Sequence, residues 1–147
     1  MSLIIRIFSN YMLQCALLGW FTAQAIKVLL CLVVNKRLDF TLLFASGGMP
    51  SSHSASVCAL AAAIAKCHGV DNPTFAVALL FAFIVMYDAS GVRRASGEHA
   101  KILNKLVQSI TSNNEVGMQA NLKELIGHTP LEVIAGACLG VFIVLLY

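Results

Sequence analysis

Apolar residues fall into four runs, Tyr11 to Val34, His53 to Cys67, Pro73 to Tyr87 and Leu131 to Tyr147, with one extended polar region from Ala89 to Thr129. A helix needs about 20 apolar residues to cross the hydrocarbon of a bilayer. The first run meets that length comfortably and predicts a spanning helix; the other three predict shorter embedded helices beside it. The second run is rich in alanine (Ala55, Ala59, Ala61, Ala62, Ala63, Ala65), and small side chains let helices approach closely. It is therefore predicted to pack against its neighbours rather than against lipid. Gly136 and Gly140 give the fourth run the same small-residue spacing. Within the polar region Ile102, Leu103, Leu106, Val107 and Ile110 recur at helical intervals among Lys101, Asn104 and Lys105, which predicts an amphipathic helix at the interface. Ser112-Asn113-Asn114 and Gly117 end that pattern, and Leu122, Leu125 and Ile126 predict a short helical turn before Gly127. The fold class is all-α: one domain over residues 1–147, an integral membrane bundle of about four embedded helices plus an interfacial one.

Composition agrees with this pattern. Of 147 residues 59% are hydrophobic and 12% charged, and the mean hydropathy is +0.81, whereas a soluble domain carries about a quarter charged residues. An aqueous globule, a disordered tail and a nucleic-acid module are excluded, and a net charge of +3 is too small to argue for a polyanionic partner. Cys15, Cys31, Cys58, Cys67 and Cys138 lie in or beside apolar runs without a C-x-x-C pair, so they read as buried hydrophobes rather than a disulfide framework or a zinc site. Ala23-Gln24-Ala25 mimics a signal-peptidase site, but the apolar run resumes at Ile26, which predicts an uncleaved anchor. With four crossings, one side holds Lys36, Arg37, Arg93, Arg94, Lys101, Lys105 and Lys123, and the other only Arg6 and Lys66. The richer side is predicted to be cytoplasmic, in a bacterial inner membrane or its equivalent.

Three polar clusters lie at segment ends, all on that predicted cytoplasmic face: Gly47-Gly48-Met49-Pro50-Ser51-Ser52-His53-Ser54, Asp88-Ala89-Ser90-Gly91-Val92-Arg93-Arg94, and Gly127-His128-Thr129-Pro130-Leu131-Glu132. In the first, helix-start amides at Ser51 and Ser52 suit an anion, and His53 beside them suits a general acid; ordinary N-capping by either serine explains the same residues. Arginines are well shaped to hold phosphoryl oxygens, but Arg93 and Arg94 with Asp88 also fit plain anchoring at a helix end. His128 and Glu132 share a helix face, so the carboxylate can orient the imidazole as nucleophile or base, while Thr129-Pro130-Leu131-Glu132 is equally a capping box. Lys27, inside the first apolar run, is either a functional ion or a side chain snorkelling to the surface.

These three motifs, in this order, resemble the divergent branch of the phosphatidic acid phosphatase type 2 family, related to acid phosphatases and vanadium haloperoxidases; the likeness runs from about Gln24 to Gly140. The resemblance implies a helical bundle and a metal-independent phosphomonoesterase with no cofactor, working through a phosphohistidine on a phosphorylated amphiphile in the membrane. Carried over, Ser51 and Ser52 bind phosphoryl oxygens, His53 protonates the leaving group, Arg93 or Arg94 neutralises the phosphate, and His128 is the nucleophile with Glu132 behind it. Lys27 and Asp88 join the phosphate-binding set. The chain departs from the wider superfamily in lacking its Lys…Arg-Pro motif and in the long interval between Arg93 and His128; His99 keeps a shorter interval from Arg93, but Leu103 stands where the acid would follow. The alternative is a catalytically silent membrane protein that binds an anionic lipid headgroup or serves in an assembly. A homo-oligomer stays open and no nucleic-acid partner is expected.

Overall fold

The computed structural model describes residues 3–36, 47–111 and 127–147. All the regular structure within them is helical: α1 Leu3–Phe8, α2 Tyr11–Asn35, α3 Ser52–His68, α4 Pro73–Ser90, α5 Val92–Thr111 and α6 Pro130–Leu146. The turn expected at Leu122 to Ile126 lies outside the described residues.

Local chemistry sets most of the helix starts. Asn10 ends the short α1, which the apolar pattern did not announce, and caps α2 by accepting from the amides of Met12 and Leu13. Ser51 caps α3 by accepting from the Ser54 amide, Asn72 caps α4 with Pro73 in its first turn, and Thr129 with Glu132 forms a full capping box on α6. A cap of this kind is worth roughly 1 kcal/mol.

Helix α3 is the centre of the bundle, with α2, α4 and α6 packed around it. Its alanines, Ala55, Ala59, Ala61 and Ala63, are buried, as the alanine-rich run predicted. Gly19 of α2 lies against Ala55 and Ala59, and a Cβ there would come within 2.8 Å of the Ala55 carbonyl oxygen. Gly136 and Gly140 of α6 lie against the carbonyl oxygens of Ser51 and Ala55 so closely that neither leaves room for a Cβ. The bundle is held by backbone proximity through small residues, a packing mode suited to lipid, where there is little hydrophobic drive between helices.

The large apolar side chains point outward. Val77, Leu80, Phe81, Phe83 and Ile84 of α4, and Leu131, Ile134, Phe142 and Leu145 of α6, are exposed, forming surfaces that water tolerates poorly. Among the described residues, α2 and the continuous stretch from α4 into α5 are long and apolar enough to cross a membrane, while α6 is a shorter apolar helix. The sequence pattern credits only the first run with that length; α4 gains it by running past Tyr87 to Ser90.

Candidate functional site

The start of α3, the corner between α4 and α5, and the start of α6 meet at one end of the bundle. Two backbone hydrogen bonds join them: the Ser51 amide donates to the Glu132 carbonyl oxygen at 3.0 Å, and the His128 amide donates to the Ala89 carbonyl oxygen at 2.9 Å. Gly127 sits against the backbone of Arg94 with no space for a Cβ. The loop into α6 is thereby fastened to the α4–α5 corner immediately before His128.

His128 is 2% exposed. Its Nδ1 lies 3.1 Å from Glu132 Oε2, and the same oxygen accepts the Thr129 amide at 3.1 Å. One carboxylate therefore closes the capping box and orients the imidazole, so the two readings of Glu132 hold together. With Glu132 ionised, Nδ1 carries the ring proton and donates it, which leaves a lone pair on Nε2. That Nε2 is buried with no hydrogen-bond partner. An unsatisfied buried polar atom costs about 1–3 kcal/mol, a cost that a catalytic role or a bound group would account for. Burial lowers the His128 pKa from its ordinary value; the hydrogen bond and charge of Glu132 oppose this, and Lys27 and Arg93 add to it. At pH 7 the ring is therefore neutral.

His53, the second residue of α3, faces His128 edge-on with ring centroids 6.1 Å apart. Its Nδ1 is likewise buried without a partner. The positive charges of Lys27 on α2 and Arg93 on α5 are near enough to act on both histidines. Lys27 is 5% exposed and its Nζ lies 3.4 Å from Ser52 Oγ; it points inward to the site, not out to the surface. Arg93 Nε donates to Asp88 Oδ2 at 2.6 Å, so Asp88 holds the guanidinium. Arg94 pairs with Glu98 on its own helix at 3.4 Å; of the two arginines, Arg93 is the one whose charge acts on the histidines. His99 is exposed on α5, apart from this cluster.

The serines divide in the same way. Ser51 is fully buried, with its amide engaged by Glu132 and its hydroxyl oxygen accepting from the Ser54 amide at 3.3 Å and the Ser54 hydroxyl at 3.1 Å. It builds the corner, and the Ser52 hydroxyl next to it lies 3.4 Å from Lys27 Nζ. Ser54 was not singled out from the sequence; only its position one turn from the cap hinted at a role. Among the described residues no group of three His, Cys, Asp or Glu side chains is arranged to hold a metal ion.

A family model described as the Divergent PAP2 family matches residues 8–143. The uncharacterized membrane protein YuiD of Bacillus subtilis (strain 168) is 41% identical over 150 residues, covering 95% of each chain. No solved structure matches. With three ordered motifs meeting at one end of a bundle whose outer faces are apolar, and with a match that spans nearly its whole length, this chain is a membrane protein of the divergent PAP2 family.

Proposed function

We propose that this protein is a metal-independent phosphatase that hydrolyses a lipid phosphate through a phosphohistidine at His128. In this reading α2, α3, α4 and α6 are all embedded in the membrane, and the site opens to the cytoplasmic leaflet. The single observation that carries it is the buried His128 ring, held at Nδ1 by Glu132, with an unpartnered Nε2 and the His53 ring beside it.

The chemistry follows from those positions. The phosphoryl group lies between the rings, its charge met by Lys27, Arg93, the Ser52 hydroxyl and the α3 amides. His128 Nε2 attacks phosphorus, the P–N bond forms, and the P–O ester bond breaks. The departing alkoxide takes a proton from His53. The attacking imidazole becomes cationic, and Glu132 stabilises that charge. Water then attacks phosphorus with His53 accepting its proton, the P–N bond breaks, and inorganic phosphate leaves with His128 neutral again. A buried nucleophile that is neutral at pH 7 needs no prior deprotonation, which suits the lowered pKa.

The test is hydrolysis of a panel of lipid phosphates by the purified protein, with and without EDTA, followed by acid quench to trap phosphate on His128. Phosphate release that survives EDTA, with an acid-labile adduct at His128, is the expected outcome. An intact site that binds anionic lipid and releases no phosphate would favour the silent headgroup-binding protein instead.

A further inference from the structure

Helix α5 is strongly two-sided, yet it turns the wrong side to the protein. At 100° per residue, Val92, His99, Leu103 and Leu106 fall along one line, with Ile102 on its flank. Val92, Ile102, Leu103 and Leu106 are all exposed. The side toward the bundle is instead marked by Gly97, which is buried, and by Ala100 and Asn104, which are half-buried. Among the described elements α5 packs against α4 only. An apolar face of this size left open to water is unfavourable, so something apolar covers it.

Two observations identify the cover. The outward face of α4, with Phe83, Ile84 and Tyr87, is exposed and apolar, and it runs through a single residue, Gly91, into Val92 at the start of the α5 face. The chain thus passes directly from a lipid-suited apolar helix into α5. The helix is also basic, carrying Arg93, Arg94, Lys101 and Lys105 against Glu98 alone, which complements anionic headgroups, each nearby cation adding about 1 kcal/mol of attraction.

We propose that the apolar face of α5 rests on an anionic leaflet surface, and that this seating fixes the α4–α5 corner on which the site depends. Arg93 lies in the first turn of α5. The two attachments of the His128 loop, the Ala89 carbonyl oxygen and the Arg94 backbone, lie on either side of the same corner. A tilt of α5 away from the surface moves Arg93 and loosens the support of His128 together. The docking part stands on the membrane placement alone; the coupling part rests on the phosphate-binding reading of the site.

The chain has one tryptophan, Trp20, so full-length protein carrying Trp20→Phe with either Leu103→Trp or Lys101→Trp, reconstituted in vesicles, reports each face of α5 separately. In vesicles containing phosphatidylglycerol, Leu103→Trp is expected to be quenched at least threefold more by lipids brominated near the glycerol than by aqueous iodide, and Lys101→Trp the reverse. Quenching of both by iodide overturns the docking. So does shielding of Leu103→Trp from both quenchers, which would mean a protein cover, from this chain or a second copy. Equal lipid quenching in purely zwitterionic vesicles overturns the headgroup preference. For the coupling, Leu103→Glu with Leu106→Glu is expected to weaken binding of inorganic phosphate at least fivefold in the same vesicles, and unchanged affinity overturns it. Wild-type protein that binds no phosphate would count against the proposed catalytic site and against the coupling, while the quenching pattern still decides the docking.

Discussion

Replacing Glu132 with glutamine isolates the one interaction that separates a cap from a catalytic carboxylate. Glutamine at the third helical position still completes a capping box, so the amide of Thr129 keeps its acceptor and α6 keeps its start. It can also still accept from His128 Nδ1, which preserves the tautomer. What it removes is the negative charge 3.1 Å from a ring that the proposed mechanism makes cationic when Nε2 attacks phosphorus. The pair is well enclosed, with side-chain exposures of 2% for His128 and 21% for Glu132, so solvent screens it little. A hydrogen bond to a charged group is worth about 1.5–3 kcal/mol, and each 1.36 kcal/mol is tenfold in rate; Glu132→Gln should therefore lower kcat by roughly 10- to 150-fold while the thermal unfolding midpoint moves little. The pH dependence gives an independent check. Burial already places the His128 pKa below its ordinary 6.5, and Glu132 raises it. Removing the carboxylate lowers it further, so the acid limb of the rate profile shifts to lower pH. At pH 7 the ring is neutral in both proteins, so the loss there reports missing charge and not protonation. Single-turnover hydrolysis of a lipid phosphate from pH 4 to 8 measures both effects. A variant within twofold of wild type at pH 7, with an unmoved acid limb, would reduce Glu132 to a helix cap and refute the reasoning.

His128→Ala should abolish turnover and the trapped adduct, and orthovanadate should inhibit the wild-type protein because it adopts the five-coordinate shape of the transition state; activity retained in the variant, or dependence on added magnesium, would exclude the phosphohistidine route. His53→Ala should slow an alkyl ester far more than a p-nitrophenyl ester, whose leaving group needs no proton, and equal losses on the two would remove His53 as the acid. Lys27→Met should weaken phosphate binding by about tenfold or more, in line with loss of a hydrogen bond to a charged group, read as a rise in KM. Gly136→Ala forces a methyl into the Ser51 backbone and should destabilise the bundle by about 1–3 kcal/mol, measured as a lower unfolding midpoint in detergent.

What the sequence made legible, and what it did not, follows from how far each interaction reaches along the chain. Helix starts at Ser51 and Thr129 are local, a side chain bonding an amide three residues on, so their residue types could be read directly. The small-residue spacing of Gly136 and Gly140 was equally plain, but its partners, the Ser51 and Ala55 carbonyls, lie far away in sequence. Lys27 shows the limit most clearly. An apolar helix has no polar face to fix its rotation, so the same lysine reads equally as a surface anchor or a site cation until α2 is packed on α3 and its Nζ reaches Ser52. Ser51 shows the same limit from the other side: its type and position suit an anion, and only the packed fold shows its amide donating to Glu132 across the bundle. That bond makes the start of α3 depend on α6, just as the His128 amide makes the start of α6 depend on α4. The site is therefore built from the same contacts that hold one end of the fold. A substitution at the Gly136 contact should accordingly reach the histidines through the Ser51–Glu132 bond, and a milder Gly136→Ser at reduced temperature should lose phosphate affinity before it loses helix content by circular dichroism. Simultaneous loss of both would mean that the corner has no stability of its own.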